Sequence, residues 1–297
     1  MLSFDLKTYL DDRGIRYWEK GKNVKKGNVN VNCPFCPDGS NHMTVYPSGF
    51  MKCWICGFKG HVAKLVMAME KCSGTEAESL MRQYPLAGEP PVSMEAVQKS
   101  DFRMPKEFTD ELPNIHRRYL EGRNFDPARL QADYGLMACG NRGPYKFRIV
   151  APVVMGGRTV SFQTRDVTGR QTPKYRMCPD EDALVPRREV LYNLDSAGDT
   201  AVIVEGITDV WRGGAGFVAT LTAGMTFGQA LALQRKGVKR VFIFYDEGAE
   251  DRAEEVECLL PWAEVFFVGQ PDEYLDPAEM PEKEISDLRK IIFKNEG

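Results

Sequence analysis

The sequence lacks any apolar run near the roughly 18 residues that a bilayer-spanning helix requires, so an integral membrane protein of the helical kind is not expected. It also lacks a signal-peptide core. Met1-Leu2-Ser3-Phe4-Asp5-Leu6-Lys7 is charged within its first residues, which points to a reducing, cytoplasmic setting. No Gly-x4-Gly-Lys-Ser/Thr loop is present, which excludes a fused P-loop motor. There is no internal repeat and no low-complexity tract. A net charge of −3 gives no global basic footprint for nucleic acid. What remains is ordinary for a globular protein of two or three packed units: 297 residues, 43% hydrophobic and 27% charged.

Cysteine is present and patterned. Four of the eight cysteines form two knuckles, Cys33-Pro34-Phe35-Cys36 and Cys53-Trp54-Ile55-Cys56, with sixteen residues between them. Four thiolates at this spacing close a tetrahedral site around one Zn²⁺, with bonds of roughly 2.3 Å. Thr44-Val45-Tyr46 and Phe50-Met51-Lys52 flank the turn-forming Pro47-Ser48-Gly49, so a short hairpin brings the second knuckle back to the first. That pattern is a zinc ribbon. Two disulfides or idle core cysteines are the competing reading, and paired Cys-x-x-Cys knuckles rarely arise by chance. Four thiols fill the site, so neither His42 nor His61 is expected as a ligand. Cys72, Cys139, Cys178 and Cys258 are scattered and read as packing residues.

Charge is unevenly spread. Residues 1–70 carry ten Lys/Arg against six Asp/Glu, residues 142–188 ten against four, and residues 201–297 ten against eighteen. A basic middle beside an acidic end suits phosphates on one side and metal ions on the other. On composition alone, solvated surface charge is the simpler reading. Val62, Leu65, Val66 and Met69 recur at helical spacing after the ribbon, and a second short helix is expected over 75–84. Prolines without apolar periodicity place a linker at 85–105. The domains expected are therefore 1–84, 106–199 and 200–297. The middle one has a helix near 115–122 and strands at 147–150 and 158–162. From about 200, apolar strands at 201–204, 240–245 and 264–268 alternate with helices at 227–236 and 249–260. That alternation implies a parallel sheet covered on both faces. The fold class expected is α/β: a ribbon of β structure, a mixed α+β basic subdomain and a parallel-sheet domain.

In a parallel sheet, functional groups gather at the C-terminal strand edge. Glu205-Gly206-Ile207-Thr208-Asp209 follows the first strand, and Tyr245-Asp246-Glu247-Gly248 follows a later one. Glu205 and Asp246 thus emerge at one edge, where Gly206 lets the chain turn sharply. Paired carboxylates there suit Mg²⁺. From spacing alone they read equally well as helix-start carboxylates. Val204-Glu205-Gly206-Ile207-Thr208-Asp209 with Phe244-Tyr245-Asp246 some forty residues on resembles a Toprim domain. Phe217–Gly224 resembles the segment between those motifs in primases. Upstream, Phe147-Arg148-Ile149-Val150-Ala151-Pro152-Val153 resembles the family's Arg-Ile-x-x-Pro strand. Phe162-Gln163-Thr164-Arg165, Thr172-Pro173-Lys174-Tyr175 and Leu191-Tyr192-Asn193 follow in the order of the primase basic subdomain. With the ribbon, the resemblance covers nearly the whole chain, which is similar to a DnaG-type DNA primase of the compact kind carried by phages.

The resemblance implies that Glu205, Asp246 and Asp209 form an acidic cluster holding catalytic Mg²⁺ or Mn²⁺, with Asp276 as a further carboxylate. It implies that Arg148, Arg165 and Lys174 hold triphosphate or template, Arg as a fork and Lys as a point charge. The ribbon would contact single-stranded DNA template. Phe35, Tyr46, Phe50, Trp54 and Phe58, interleaved with Lys52 and Lys59, suit base stacking, and equally the ribbon's own small core. The sequence departs from the family pattern at Gly248, where the second Asp of an Asp-x-Asp pair is usual. Glu250 and Asp251, in the next helical turn, are the residues placed to compensate. Cys36 stands where many bacterial relatives use His. The implied function is a template-directed RNA polymerase making short primers from NTPs. Its replicative helicase would be a separate chain, since little sequence follows the last strand, and a single-strand-binding protein is a further expected partner. The expected location is the cytoplasm, the host's if the chain is phage-encoded. Two rivals remain: a zinc-dependent single-strand-binding adaptor with a weak Toprim domain, and a Toprim nuclease.

Overall fold

Successive strand residues point to opposite faces, and the first sheet follows from that alternation. Val29, Val31, Met43, Val45, Met51 and Cys53 are buried, with Asn30, Thr44 and Lys52 between them. The computed structural model describes residues 4–21, 23–47, 49–85, 102–222, 224–245, 256–257, 259–260, 262–269 and 277–294. Its first strands are β1 (Tyr17–Trp18), β2 (Val29–Val31), β3 (Met43–Val45), β4 (Phe50–Cys53) and β5 (Lys59–His61), paired antiparallel in that order. The expected hairpin is β3 with β4. Tyr17, Val31, Met43 and Cys53 form one cross-strand row, and Trp18, Asn30, Thr44, Lys52 and Lys59 form the next. Adjacent rows face opposite ways, so the apolar row turns to the core, and on the other face Asn30 and Thr44 are also buried, with the Asn30 amide donating to the Asn23 and Asn41 carbonyls.

Helices α1 (Leu6–Asp12) and α2 (Val62–Glu70) bury Tyr9, Leu10, Leu65 and Val66 in the same core as Met43 and Met51. Full burial of side chains of this size stabilises by roughly 1.5–3 kcal/mol each. Helix α3 (Gly74–Met81) starts at a reciprocal cap, with Ser73 N–H donating to Glu76 at 2.8 Å and Glu76 N–H donating to Ser73 at 3.3 Å.

The chain forms two compact units, Met1–Gln98 with Glu254–Leu259, and Lys99–Ala253 with Leu260–Gly297. In the second, β6 (Phe108–Thr109), α4 (Asn114–Glu121), α5 (Pro127–Tyr134), β7 (Met137–Cys139), β8 (Arg148–Met155), β9 (Arg158–Asp166) and β10 (Tyr175–Met177) come first. The strands make an antiparallel sheet in the order β10-β9-β8-β7-β6. There follow β11 (Thr200–Val204), α6 (Ile207–Gly213), β12 (Phe217–Ala219), α7 (Phe227–Lys236), β13 (Arg240–Ile243), β14 (Glu264–Phe267) and α8 (Glu282–Ile292). These strands form a parallel sheet in the order β12-β11-β13-β14. Ile149, Ala151 and Val153 of the antiparallel sheet share one core with Val202, Val204 and Phe217 of the parallel sheet.

The fold class is the α/β arrangement expected. One strand departs from the expected double burial. Although 265–268 is apolar, β14 is the last strand of the sheet among the described residues, and Phe266 and Phe267 are 42% and 52% exposed. A terminal strand has a neighbour on one side only, so it gets less cover than an apolar run implies. The helix expected over 249–260 lies largely outside the described residues, as do Cys258 and most of the linker. Among the described residues, no helix is long and apolar enough to cross a membrane.

Candidate functional site

The two knuckles meet. Cys33 Sγ lies 3.9 Å from Cys56 Sγ, and Cys36 Sγ lies 3.8 Å from Cys53 Sγ. All four sulfurs fall within 4.8 Å of one another. A tetrahedron with Zn–S bonds of about 2.3 Å has edges of about 3.8 Å, so the cluster matches a structural zinc site in donor type and size. Burial pushes the Cys33 thiol well above its usual range and Cys36 up to about 11. Cys56 moves the other way, chiefly because the Phe58 N–H donates to it. Raised thiols crowded together need a cation to be held as thiolates, which is the service a bound Zn²⁺ provides.

Asp38 organises the first knuckle, a role the sequence reading missed. Its side chain is 1% exposed. It accepts N–H bonds from Cys33 (3.1 Å), Ser40 (2.9 Å) and His42 (2.8 Å), and the His42 Nδ1 lies 2.8 Å away. Against the cost of its burial, these bonds hold its carboxyl down to about 2. The available signal was an Asp two residues beyond a knuckle, where Asx turns form. His42 is thus engaged beside the cluster, outside the four-sulfur set. His61 accepts the Ala63 N–H at 3.2 Å at the start of α2, and burial lowers it to about 4.

The ribbon aromatics divide. Phe35 and Phe58 stack at 3.9 Å between centroids, and Tyr46 packs on Phe50 at 5.7 Å. Trp54 is 60% exposed, with Lys52 Nζ 4.6 Å from its ring centroid and its indole N–H donating to Thr44 at 3.3 Å. A ring held edge-on by a hydrogen bond with one cation over it is a surface suited to stacking.

On the second unit, β11 runs through Glu205 and Gly206 directly into α6. The Gly206 N–H donates to Asp209 Oδ2 at 2.8 Å, which ties the turn to the first turn of the helix. A Cβ on Gly206 would sit 3.2 Å from that oxygen, so glycine allows the close approach. Asp209 is 4% exposed, and Oε1 of Glu205 is buried. β13 lies beside β11 in parallel register, with Ile203 opposite Ile243 and the Phe244 N–H donating to the Ile203 carbonyl at 2.9 Å. The strands expected side by side are therefore neighbours. Asp246, Gly248, Glu250, Asp251 and Asp276 lie outside the described residues.

The three basic residues gather at the β9–β10 turn. Arg165 is buried between two tyrosines: it donates to the Tyr119 hydroxyl, and its guanidinium carbon lies 4.7 Å from the Tyr175 ring centroid. Lys174 is exposed, with Nζ 5.9 Å from the same ring. The Tyr175 hydroxyl lies 3.5 Å from Thr208 Oγ1, which links this basic strand to the acidic turn. Arg148 differs in kind. It is as buried as Arg165, and the difference lies in its partners: its guanidinium donates to the carbonyls of Lys174 (3.0 Å) and Pro173. Tyr119 stands in no motif of the sequence; Tyr175 and Thr208 stand within the Thr172–Tyr175 and Glu205–Asp209 motifs, but nothing in their spacing marks them as the link.

No family model matches the chain, and no curated protein matches it in sequence. Solved structures do. The zinc-binding and RNA polymerase domains of the Aquifex aeolicus primase match at 23% identity and a TM-score of 0.53, over 97% of this chain and 82% of that one. A DnaG primase catalytic domain bound to ssDNA matches at 21% identity and TM-score 0.51, over 62% and 73%. A DnaG catalytic core matches at 22% and 0.50, over 60% and 72%. With a ribbon carrying four clustered cysteines, an antiparallel basic sheet and a parallel sheet ending in an acidic turn, the chain has the fold of the zinc-binding and RNA polymerase domains of DnaG-type primase.

Proposed function

We propose that this chain is a DNA primase, a DNA-directed RNA polymerase that makes short RNA primers on single-stranded template. One observation carries the reading: the acidic turn after β11 is joined, through Thr208, to Tyr175 of β10, which pairs with Arg165 of β9 and directly follows Lys174 in the chain. A carboxylate edge beside fixed cations is what a triphosphate with its metal ions requires. The oxygen-only donors of Glu205 and Asp209, joined by Asp246, suit Mg²⁺ or Mn²⁺, with Asp276, Glu250 and Asp251 as further candidates. Bound there, the ion would neutralise phosphate charge and lower the pKa of the attacking 3′-hydroxyl. The chain's own residues would then orient the triphosphate: Arg165 as a pre-set fork in its aromatic slot, and Lys174 as a point charge. The ribbon of residues 1–84 would hold the template across the 85–105 linker, with Trp54 stacking on a base. Residues 106–199 would carry the basic surface and 200–297 the Toprim chemistry. A helicase on a separate chain, a single-strand-binding protein and a cytoplasmic location complete the reading.

The test is incubation with single-stranded DNA, labelled NTPs and Mg²⁺. Short RNA dependent on the template is the expected product. Unchanged substrates would favour a binding adaptor, and shortened template would favour a nuclease.

A further inference from the structure

Arg148 was expected to touch phosphate, and its surroundings assign it other work. It sits at the start of β8, opposite Asp166 at the end of β9 in the strand register. Both side chains are buried, at 2% and 4% exposure. Between Asp166 and β10 the chain makes a loop over residues 167–174 that has no regular secondary structure and carries the exposed cations Arg170 and Lys174.

The pair grips that loop from inside. Arg148 donates to the carbonyls of Pro173 and Lys174. Asp166 Oδ1 accepts the N–H and the hydroxyl of Thr168 at 3.0 and 2.8 Å, and its Oδ2 accepts the Gln171 N–H at 3.1 Å. The Asp166 N–H also donates to the Lys174 carbonyl at 2.9 Å. Both ends and the middle of the loop are thereby fixed. Burial lowers the pKa of Arg148 and the charge of Asp166 opposes that shift, while the Asp166 carboxyl is held low against its own burial by the loop's N–H groups. The two charges are of opposite sign and each acts against the other, while the loop's exposed cations are Arg170 and Lys174. Lysine would serve poorly in place of Arg148, because an ammonium lacks the planar fork that spans two carbonyls.

We propose that Arg148 and Asp166 are positioning residues: they make no contact with substrate and fix the 167–174 loop so that Lys174 meets a phosphate group. The proposal rests on the primase reading only in naming the phosphate-bearing ligand. Its sign is distinctive. Asp166→Asn removes a negative charge and, acting through charge alone, would tighten binding of a polyanion. Acting through the loop, it weakens binding.

The experiment is a double-mutant cycle on the full chain, read by salt titration of a labelled single-stranded DNA oligonucleotide and by amide hydrogen exchange of the protein alone. Lys174→Ala should reduce the slope of log affinity against log salt by about 0.7, the value for one contact to a single strand. Asp166→Asn and Arg148→Lys should each weaken binding roughly threefold or more in the wild-type background and add little in the Lys174→Ala background, the non-additivity of residues acting through one another. The Thr168 and Gln171 amides should lose protection in Asp166→Asn. Tighter binding by Asp166→Asn, or a full independent loss for Arg148→Lys on top of Lys174→Ala, overturns the proposal. If the wild type binds no oligonucleotide, the primase reading fails and exchange still decides: retained protection of Thr168 and Gln171 in Asp166→Asn refutes the clamp, and lost protection supports it.

Discussion

Asp209 offers a way to separate architecture from chemistry with one atom exchanged. Its Oδ2 takes the Gly206 N–H at 2.8 Å, so it serves the start of α6 whatever else it does. Asp209→Ala removes that acceptor and the negative charge near the helix N-terminus. The loss of a cap of this kind costs about 1 kcal/mol, which lowers the melting temperature by roughly 2–4 °C in a unit of this size. Asp209→Asn keeps an oxygen for the Gly206 N–H and forfeits only the charge, worth roughly 0.3–1 kcal/mol near a helix start. Its melting temperature should therefore fall less than that of the alanine variant. The catalytic consequences are ordered differently. A neutral amide is a poor ligand for a hard cation, so both variants should lose at least about tenfold in template-directed synthesis at limiting Mg²⁺, about 1.4 kcal/mol in transition-state terms. Thermal melts by circular dichroism, with Mg²⁺ titrations of RNA synthesis, read the two effects apart. An asparagine variant that titrates with Mg²⁺ like wild type would refute the metal role and leave Asp209 as a cap alone.

Other outcomes follow from the same geometry. The chain should carry one zinc per molecule by elemental analysis, and Cys53→Ser or chelation should unfold the ribbon while the second unit, with its own core, keeps its melting transition. Trp54→Ala should leave the ribbon folded, since the ring is 60% exposed, yet weaken single-stranded DNA binding by roughly 1–3 kcal/mol; equal affinity in fluorescence anisotropy would make Trp54 a bystander. Arg165→Ala should raise the KM for NTP more than it alters the melting temperature, and an unchanged KM would show that the aromatic slot holds the guanidinium for structure alone.

Much of the fold was legible because local signals agreed with one another. Helix α7 spans the expected residues, Phe227–Lys236, because Thr226 and Gln229 cap its start and Gly237 turns it off in the left-handed region. The ribbon was legible because metal geometry fixes cysteine spacing more tightly than packing fixes any apolar residue. Legibility failed where meaning depends on long-range register. The resemblance names Arg148 for phosphate, but nothing in the sequence shows that Asp166 stands opposite it in register or that its guanidinium reaches the Pro173 and Lys174 carbonyls. Asp38 carries no motif of its own, and its three partner residues, Cys33, Ser40 and His42, converge only when the knuckle folds. The helix at Pro127–Tyr134 had its signals in plain view, with Asp126 capping, Pro127 in the first turn and Gly135 ending it, yet it was not singled out, because its apolar face is short.

The most direct test compares wild type with Glu205→Ala in the primer-synthesis assay, using single-stranded DNA, all four NTPs and Mg²⁺, with products resolved on a sequencing gel. The carboxylate edge after β11 as the polymerase centre predicts short template-dependent RNA from wild type and none above background from Glu205→Ala, with both proteins melting alike. RNA synthesis by Glu205→Ala at the wild-type rate, or no RNA from a folded, zinc-loaded wild type, would contradict it.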